Sequence, residues 1–295
     1  MPKEFKFLAG ARLKNKYLRF AFVIVIILTI SSVFISLFKR YKINLKQNEN
    51  GINFSDEIVF DDIKVHINND SFSHDSLKEE THHNEVAEYL KKNLKKGDTV
   101  INIAHNAGIQ TLLIAKIIQQ SGRVYFYNPS KKYIDSIKSS ARANGFENRV
   151  FAHAFGISDH SFNGLLVHKN NFPDITGKIE PDDYKIPLGY SAMTIKVSSI
   201  DEQLPNLQNV NLMIINVNED CSNIINGAIN LIKKSGELSI IVNYNRAILA
   251  NSSAFHTLLN IGFSLHVVQT DGSLKSSDIN EIKKLNKCFL LFKRN

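Results

Sequence analysis

Cysteine is scarce in this chain, and its two copies, Cys221 and Cys288, exclude a framework of disulfide bonds. Both are expected to be small buried apolar side chains, with a single bridge between them as the alternative. Metal-ligand spacing is missing too, because the four histidines within residues 66–83 do not recur on one predicted element. That polar stretch predicts a solvated loop. No Ser-His-Asp or Cys-His arrangement has supporting context, so the sequence identifies no catalytic residue.

A basic stripe is absent from most of the chain, although the net charge is +8. Residues 1–46 hold ten Lys and Arg and one Glu, whereas the rest of the chain holds 26 basic and 27 acidic residues. The basic excess therefore flanks an apolar run, where Lys and Arg meet lipid headgroups. Binding of nucleic acid is not expected.

Charged residues, proline and glycine are all absent from residues 20–38, which read FAFVIVIILTISSVFISLF. A helix of about 19 residues just spans a hydrocarbon core of about 30 Å. The run is long for a signal peptide, and Lys39 and Arg40 stand where a cleavage site would lie, so the sequence predicts one retained transmembrane helix after a basic segment, residues 1–19. Six basic residues before the span against four after it favour a domain outside the cytoplasm.

The rest of the chain divides into a polar lead-in, residues 39–84, and a regular α/β domain, residues 85–295. Within the lead-in, loose alternation over residues 57–67 fits a short hairpin. In the domain, short apolar runs alternate with helical periodicity, which predicts a mostly parallel sheet with right-handed crossovers. Prolines and glycines in residues 156–195 predict a long irregular insertion or a β-hairpin. The last two predicted strands are expected to form a C-terminal antiparallel pair.

The residues that directly follow the predicted strands are the candidates for a ligand site. In a parallel α/β sheet, ligands bind beyond the carboxyl ends of the strands, at the point where the strand order reverses. Residues 102–108 (NIAHNAG) complete and follow the first strand of the domain, Asn128 and Pro129 follow the second, and residues 216–219 (NVNE) follow the fourth.

These segments carry a resemblance to a known family. Residues 95–130 (KKGDTVINIAHNAGIQTLLIAKIIQQSGRVYFYNPS) resemble the opening of the FkbM family of S-adenosylmethionine (SAM)-dependent methyltransferases, with its GDxVxDxGANxGxxT pattern and a strand ending in Phe-Glu-Pro. Residues 215–228 (INVNEDCSNIINGA) resemble the family's IDVEGxExxxLxGA. The resemblance implies a Rossmann-like methyltransferase fold. It assigns SAM-binding positions to Asn102, Ala104, His105, Asn106, Gly108, Asn128, Pro129, Asn216 and Asn218.

The departures from the family pattern are systematic. Acids of the family are replaced by Asn at five positions, and its first loop glycine and its later motif glycine are replaced as well; the positions are Asn102, Asn128, Asn216, Asn218 and Asn243, with Ala104 and Glu219. A carboxylate accepts hydrogen bonds from both ribose hydroxyls, whereas an amide has one acceptor oxygen. Loss of a charged hydrogen bond costs about tenfold in affinity per contact. Five such replacements beside intact apolar strands indicate relaxed catalytic demand with the fold retained.

Three functions follow from the sequence. The first is a catalytically degenerate, membrane-anchored methyltransferase-like protein that acts as a binding or scaffold module, with no cofactor. The second is an active O-methyltransferase that uses SAM on a glycan, a lipid-linked or another small hydroxyl substrate. The third is a domain that binds a neutral nucleoside or sugar in the same crevice. The expected partners are the membrane and a glycan, a lipid-linked molecule or a protein.

Overall fold

The computed structural model describes residues 42–44, 55–68, 84–106, 108–170 and 177–294. The predicted transmembrane span at residues 20–38 lies outside these ranges. Within them, no helix is both long enough and apolar enough to cross a membrane.

The described strands and helices are named here in chain order. The strands are β1 (Lys42–Asn44), β2 (Ser55–Phe60), β3 (Ile63–Asn68), β4 (Thr99–Ala104), β5 (Arg123–Tyr127), β6 (Val150–His153), β7 (Gly156–Ile157), β8 (Phe162–Lys169), β9 (Lys178–Pro181), β10 (Tyr190–Ser198), β11 (Leu212–Asn216), β12 (Ser239–Asn245), β13 (Phe263–Val268), β14 (Leu274–Ser276) and β15 (Lys287–Arg294). The helices are α1 (Asn84–Asn93), α2 (Ile109–Ile118), α3 (Lys131–Ala143), α4 (Ile200–Gln203), α5 (Ser222–Asn226), α6 (Ile229–Lys234), α7 (Arg246–Leu249), α8 (Ser253–Asn260) and α9 (Ile279–Ile282).

The central sheet has the strand order β14-β13-β15-β12-β11-β4-β5-β6. The strands β6, β5, β4, β11 and β12 are parallel, and β15 runs antiparallel between β12 and β13. The predicted mostly parallel sheet and its C-terminal antiparallel pair are therefore confirmed. Because the chain builds outward in two directions from β4, the strand order reverses between β4 and β11, and a crevice forms beyond their carboxyl ends.

Strand β4 shows why the sheet is covered on both faces. Val100 and Ala104 pack into one apolar cluster with α2, whereas Ile101 and Ile103 pack into a second cluster on the other face. Each of the four side chains is at most 4% exposed. An apolar run of this kind is typical of a central parallel strand.

The hairpin of β2 and β3 is part of the packed domain. Asp61 and Asp62 form its two-residue turn with φ of 50° and 63°, as a type I′ turn requires. Ile63 and Val65 are 0% and 1% exposed within the core cluster. The backbone N–H of His66 donates to Ser140 Oγ of α3 at 2.8 Å. The packed unit thus includes a hairpin that the predicted boundary at residue 85 leaves outside the domain.

Residues 222–234 have helical periodicity throughout, but they form two helices, α5 and α6, on either side of Gly227. A Cβ atom on Gly227 would lie 2.0 Å from the carbonyl oxygen of Ser158. The backbone N–H of Asp201 donates to the Gly227 carbonyl at 2.9 Å, and the Asp201 carboxylate accepts from the first turn of α6. The close approach of another backbone segment interrupts the helix there.

The segment predicted to be a long irregular insertion or a β-hairpin forms a four-stranded sheet with the order β7-β10-β8-β9, so its antiparallel strands agree with the second alternative. Its main pair, β8 and β10, is antiparallel over eight residue pairs, from Tyr190 opposite Lys169 to Val197 opposite Phe162. Leu166, Ile195 and Val197 form its own apolar cluster. We call this sheet, from β7 to β10, the insertion sheet.

Neither cysteine is bridged, and Cys221 is buried whereas Cys288 is half-buried. Burial raises the pKa of Cys221 to about 12 and that of Cys288 to about 11. Both thiols therefore stay protonated at neutral pH, and they behave as small apolar side chains.

We predict that Ile63→Ala lowers the free energy of unfolding by about 3 kcal/mol, because it leaves a cavity in the core under α3. Urea unfolding of the full-length chain measures the loss. The control is Lys64→Ala at the neighbouring exposed side chain, which we expect to change stability by less than about 0.5 kcal/mol. Equal, small effects of the two substitutions would show that the hairpin does not belong to the domain.

Candidate functional site

A small cavity lies where the sequence places the ligand site, beyond the carboxyl ends of β4, β5 and β11. Its volume is about 40 Å³. From the central sheet it is lined by Ala104, His105, Asn128, Pro129, Asn218 and Glu219, among others. The structure therefore brings together six residues from three segments that are far apart in the sequence, and we call this place the crevice.

The insertion sheet covers the crevice. Leu166 of β8, Ile179 of β9 and Gly156 of β7 line the cavity from above. A Cβ atom on Gly156 would lie 2.7 Å from Ile179 Cδ1, so the Ile179 side chain reaches Gly156 over the site. Pockets for organic ligands measure about 300–1,000 Å³, whereas 40 Å³ holds no more than a few water molecules.

Asn128 uses both ends of its side chain inside the protein. Its amide Nδ2 donates to the Ala104 carbonyl at 2.9 Å and faces the Asn106 carbonyl at 3.5 Å. Its Oδ1 accepts from the backbone N–H of Ser130 at 2.8 Å. With 1% exposure, this side chain closes the loop after β4 onto the start of α3. The donor end needs an amide, because a carboxylate has no N–H.

Asn102 points away from the crevice, toward α2. Its Nδ2 donates to Thr111 Oγ1 at 2.9 Å, and both residues are 0% exposed. Its Oδ1 has no hydrogen-bond partner among the described residues. Alternation along β4 puts Asn102 on the same face as Val100 and Ala104, so it joins the sheet to the helix that covers it.

Asn216 ties the ends of β4, β11 and β12 together. Its Oδ1 accepts from Nδ2 of Asn243 at 2.8 Å. Its backbone carbonyl accepts from the backbone N–H of His105 at 3.1 Å and also faces Nδ1 of the His105 ring. Since that carbonyl can only accept, the His105 Nδ1 carries the proton. The predicted site residues Asn216 and His105 therefore bond to each other, and these polar groups are not presented to a ligand.

The loop after β4 is closed by Asn106 and Gly108. The Oδ1 of Asn106 accepts from the Gly108 N–H at 3.2 Å. Gly108 has φ of 80°, and a Cβ atom there would lie 2.6 Å from Ile137 Cδ1 of α3. The glycine is therefore required by the left-handed backbone and by contact with α3. Asn218, by contrast, is exposed at the rim.

Glu219 is the acid of the crevice, and it lies in the candidate segment 216–219 although the family resemblance assigns it no SAM-binding position. Burial raises its pKa to about 7, and Glu180 and Asp220 add to that rise. The backbone N–H of Ile179, on β9, hydrogen-bonds to this carboxylate and, with Lys178, opposes the rise. Of the described residues that line the cavity, Glu219 alone has a carboxylate. Its position directly after β11 was the available signal, whereas the covering residues Leu166 and Ile179 gave none.

The crevice does not fit SAM. The cavity is roughly a tenth of a ligand pocket in volume. The position at the end of β5 offers a ribose no free carboxylate, since Asn128 is bonded to Ala104 and Ser130. A nucleoside or a sugar is also too large for a cavity of about 40 Å³. Within the described ranges, no cluster of three or more His, Cys, Asp or Glu could hold a metal ion.

Comparisons with known proteins find similar solved structures but identify no family for this chain. No family model and no curated protein matches the sequence, so the resemblance to the FkbM family stays a prediction. Similar solved structures include an O-methyltransferase from Bacillus cereus in complex with SAH, at 14% identity and a TM-score of 0.44 over 77% of this chain and 91% of that chain.

Two further solved structures are a methyltransferase from Geobacter sulfurreducens and a SAM-dependent O-methyltransferase from Thermotoga maritima. The first has 10% identity and a TM-score of 0.42, covering 77% of this chain and 89% of that chain. The second has 12% identity and a TM-score of 0.38, covering 81% of this chain and 77% of that chain. Because all three TM-scores are below 0.5, they carry no argument about activity. The strand order, with β15 reversed between β12 and β13, gives this chain a mixed α/β, methyltransferase-like fold.

We predict that Glu219→Gln stabilises the protein at alkaline pH. The pKa of Glu219 rises from 4.5 to about 7 on folding, so the wild-type protein loses stability as pH rises between these values. Glutamine does not ionise, so the variant should exceed the wild type by roughly 1–3 kcal/mol above about pH 7.5 and match it near pH 4. Urea unfolding across this pH range measures the difference. The matched control is Glu147→Gln at an exposed loop acid, and an identical pH profile for both variants would contradict the prediction.

We predict that Asn128→Asp destabilises the protein by about 2–4 kcal/mol at pH 8. The substitution removes the N–H donors and places a buried carboxylate oxygen against the Ala104 carbonyl. The loss should shrink at low pH, where the protonated acid can donate. Thermal or urea unfolding measures it, with exposed Asn148→Asp as the control. If both variants are equally stable, the inward bonds of Asn128 do not support the loop.

Proposed function

We propose that this chain is a membrane-anchored, FkbM-like protein that keeps a methyltransferase-like fold as a binding or scaffold module and does not use SAM. The observation that carries the proposal is the closed crevice, in which the insertion sheet leaves about 40 Å³. A cofactor of nucleoside size would require that sheet to move away, which would expose the apolar side chains of Leu166 and Ile179.

The asparagines support the same function. At Asn102, Asn128 and Asn243, the amide Nδ2 donates a hydrogen bond to another part of the protein. An acid at any of these positions would lack that donor at neutral pH. The amides therefore have a structural use that the acids of the family could not supply. This favours a domain in which selection for stability has replaced selection for cofactor binding.

Membrane anchoring is the second part of the proposal. It is supported by the uncharged run at residues 20–38 and by the basic residues on both of its sides. The charge difference across the run favours a domain outside the cytoplasm. SAM is a cytoplasmic metabolite, so this orientation agrees with a domain that does without it.

The competing function is an active, SAM-dependent O-methyltransferase, and one observation favours it. Glu219 lies in the crevice with a pKa of about 7, in the range that suits a general base for a hydroxyl group. Perturbed acids in clefts mark functional sites in many proteins. In this crevice, however, the same pKa follows from burial under the insertion sheet.

A calorimetric titration separates the two functions. We expect that SAM and S-adenosylhomocysteine produce no binding heat up to about 1 mM, which corresponds to a binding free energy weaker than about −4 kcal/mol. The full-length chain must show a cooperative unfolding transition in the same buffer. A SAM-dependent methyltransferase of known affinity, titrated in the same way, serves as the positive control.

Binding of SAM in the micromolar range would overturn the proposal. The enzyme function would then be preferred, and Glu219→Gln would be the variant to assay with hydroxyl substrates. Absence of heat from a folded chain would leave the domain as a scaffold or binding module.

A further inference from the structure

One edge of the central sheet collects the ends of several helices. Strands β4, β5, β6, β11 and β12 begin at this edge, since they are parallel and in register, and we call it the amino edge. Helices α1, α2, α3 and α6 each end shortly before one of these strands. Strand β15 also ends there, because Lys293 lies opposite Ser239. Basic side chains suit this edge, since the carboxyl end of a helix carries partial negative charge.

The positive charge of the domain is concentrated at the amino edge. Twelve Lys and Arg and three acids lie in its helix ends, connections and strand ends, residues 91–99, 116–123, 142–150, 233–239 and 293–294. The β2–β3 turn, residues 61–64, and the acids that pair with the lysines of α1 bring the totals to 13 basic and seven acidic residues. The other described side chains from residue 59 onward include 12 basic and 12 acidic residues, so the excess belongs to this edge.

Most of these basic groups are open to an outside partner. Among the salt bridges of the described residues, those at the amino edge engage only the two lysines in the last turn of α1. Lys96, Lys233 and Lys234 are exposed. The large apolar side chains that are exposed within the described ranges all lie elsewhere, at residues 184–190 and at Leu285. Attraction to this edge is therefore electrostatic.

A groove at the amino edge shows that basic residues from distant segments meet there. It has a volume of about 550 Å³ and lies beyond the first residues of β11 and β12. Four basic residues and two acids line it, with Lys92 and Lys95 from the end of α1 and Lys293 and Arg294 from the end of β15. Residues that are separated by about two thirds of the chain thus form one surface.

The proposed membrane span reaches the domain near this edge. Strand β1 begins at Lys42, which lies opposite Val59, next to the β2–β3 turn. Only residues 39–41 separate β1 from the apolar run at residues 20–38. Three residues with their flanking bonds reach at most about 14 Å, so the β2–β3 turn lies close to the bilayer surface.

Hydrogen bonds fix the β2–β3 turn to the amino edge. The carboxylate of Asp61 lies 2.9 Å from Lys91 Nζ in the last turn of α1. Its carbonyl accepts from Lys116 Nζ in the last turn of α2 at 2.6 Å. The N–H of Lys64 donates to Asn144 Oδ1, directly after α3, at 2.9 Å. The turn beside the anchor therefore contacts the ends of three helices of the amino edge.

We propose that the amino edge docks on anionic lipid headgroups of the bilayer that holds the anchor. The inference rests on the membrane anchoring proposed above. Phosphate groups of the headgroups accept charged hydrogen bonds from Lys and Arg, and the attraction acts within a Debye length, about 8 Å at physiological salt. The short connection to the span holds the edge near that layer. In this orientation the crevice and its covering sheet face away from the membrane.

The absence of tryptophan from the chain makes a direct test available. The Asn148→Trp variant of the full-length chain has one indole at an exposed position of the amino edge, between α3 and β6. The matched reporter is Leu285→Trp, an exposed position at the opposite edge, because it directly precedes the start of β15, where Lys287 lies opposite the last residue of β12. Both variants are reconstituted into vesicles with dansyl-labelled headgroups, and circular dichroism checks that they are folded.

We expect energy transfer from the Asn148→Trp indole to the headgroups to rise about twofold when 30% phosphatidylglycerol replaces phosphatidylcholine. The increase should disappear in 0.5 M NaCl, which shortens the Debye length to about 4 Å. Transfer from the Leu285→Trp indole should stay low in all of these vesicles, because docking keeps the opposite edge away from the membrane.

Charge variants in the Asn148→Trp background test the basic residues themselves. Replacement of Lys96, Lys233 and Lys234 by Gln should lower the transfer in phosphatidylglycerol vesicles toward its value in phosphatidylcholine. The control is an equal loss of charge away from the edge, by replacement of the exposed Lys185, Lys283 and Lys284 by Gln, and it should leave the transfer unchanged.

The outcomes separate docking from anchoring. A chain that floats with the vesicles but shows the same transfer with and without phosphatidylglycerol overturns the docking and leaves the anchor intact. Equal effects of the two triple replacements, or greater transfer from the Leu285→Trp indole, also overturn it. A chain that does not float with vesicles overturns both the anchor and the docking.

Discussion

The burial of β4 on both faces is the constraint on which the rest of the structure depends. A parallel strand in the middle of a sheet must pair with a strand on each side and be covered by other elements above and below. The apolar sequence of β4 meets this requirement, with Ile101 and Ile103 facing one cluster and Val100 and Ala104 facing the other. Strands β5 and β11 then fill the two neighbouring positions. The crevice follows from this order, because the chain leaves β4 and β11 toward opposite halves of the sheet.

Side chains of the central sheet and of the insertion sheet enclose the crevice and leave about 40 Å³ between them. The amide of Asn128 bonds to the Ala104 carbonyl in the loop after β4, and the insertion sheet supplies apolar side chains from above. An amide there avoids the cost of burying a charge, and its N–H donors join neighbouring segments of the protein.

The sequence predicted the central sheet well because the residue patterns that indicate its strands and helices are local. The apolar runs of β4, β11 and β12 and the helical spacing between them depend on neighbouring residues, and so does the position of polar residues at the strand ends. The insertion sheet was harder to predict, since Pro181 and Pro187 suggest irregular structure although they end a strand and form a turn. The break at Gly227 could not be predicted either, because its cause is the backbone of Ser158, far away in the chain.

In the candidate site, too, the sequence predicted what depends on neighbouring residues and missed what depends on distant ones. Ala104, Asn128 and Glu219 could be assigned to one edge of the sheet from their place after strands. Where each side chain points was not accessible from the sequence. Asn102 faces α2 because of the alternation along β4, and Asn128 turns inward because the loop after β4 offers it two carbonyl groups. The pKa of Glu219 is raised by burial, and its position under the insertion sheet could not be predicted from the sequence.

The insertion sheet enters and leaves the domain at one place. Its first strand pairs with the end of its last strand, with Gly156 opposite Val197 and Ile157 opposite Ser198. Its two ends are therefore separated by one inter-strand spacing, about 4.8 Å. A change in the length of the insertion sheet therefore does not require a change in the register of the central sheet. The cover of the crevice is attached to the scaffold beneath it at a single place.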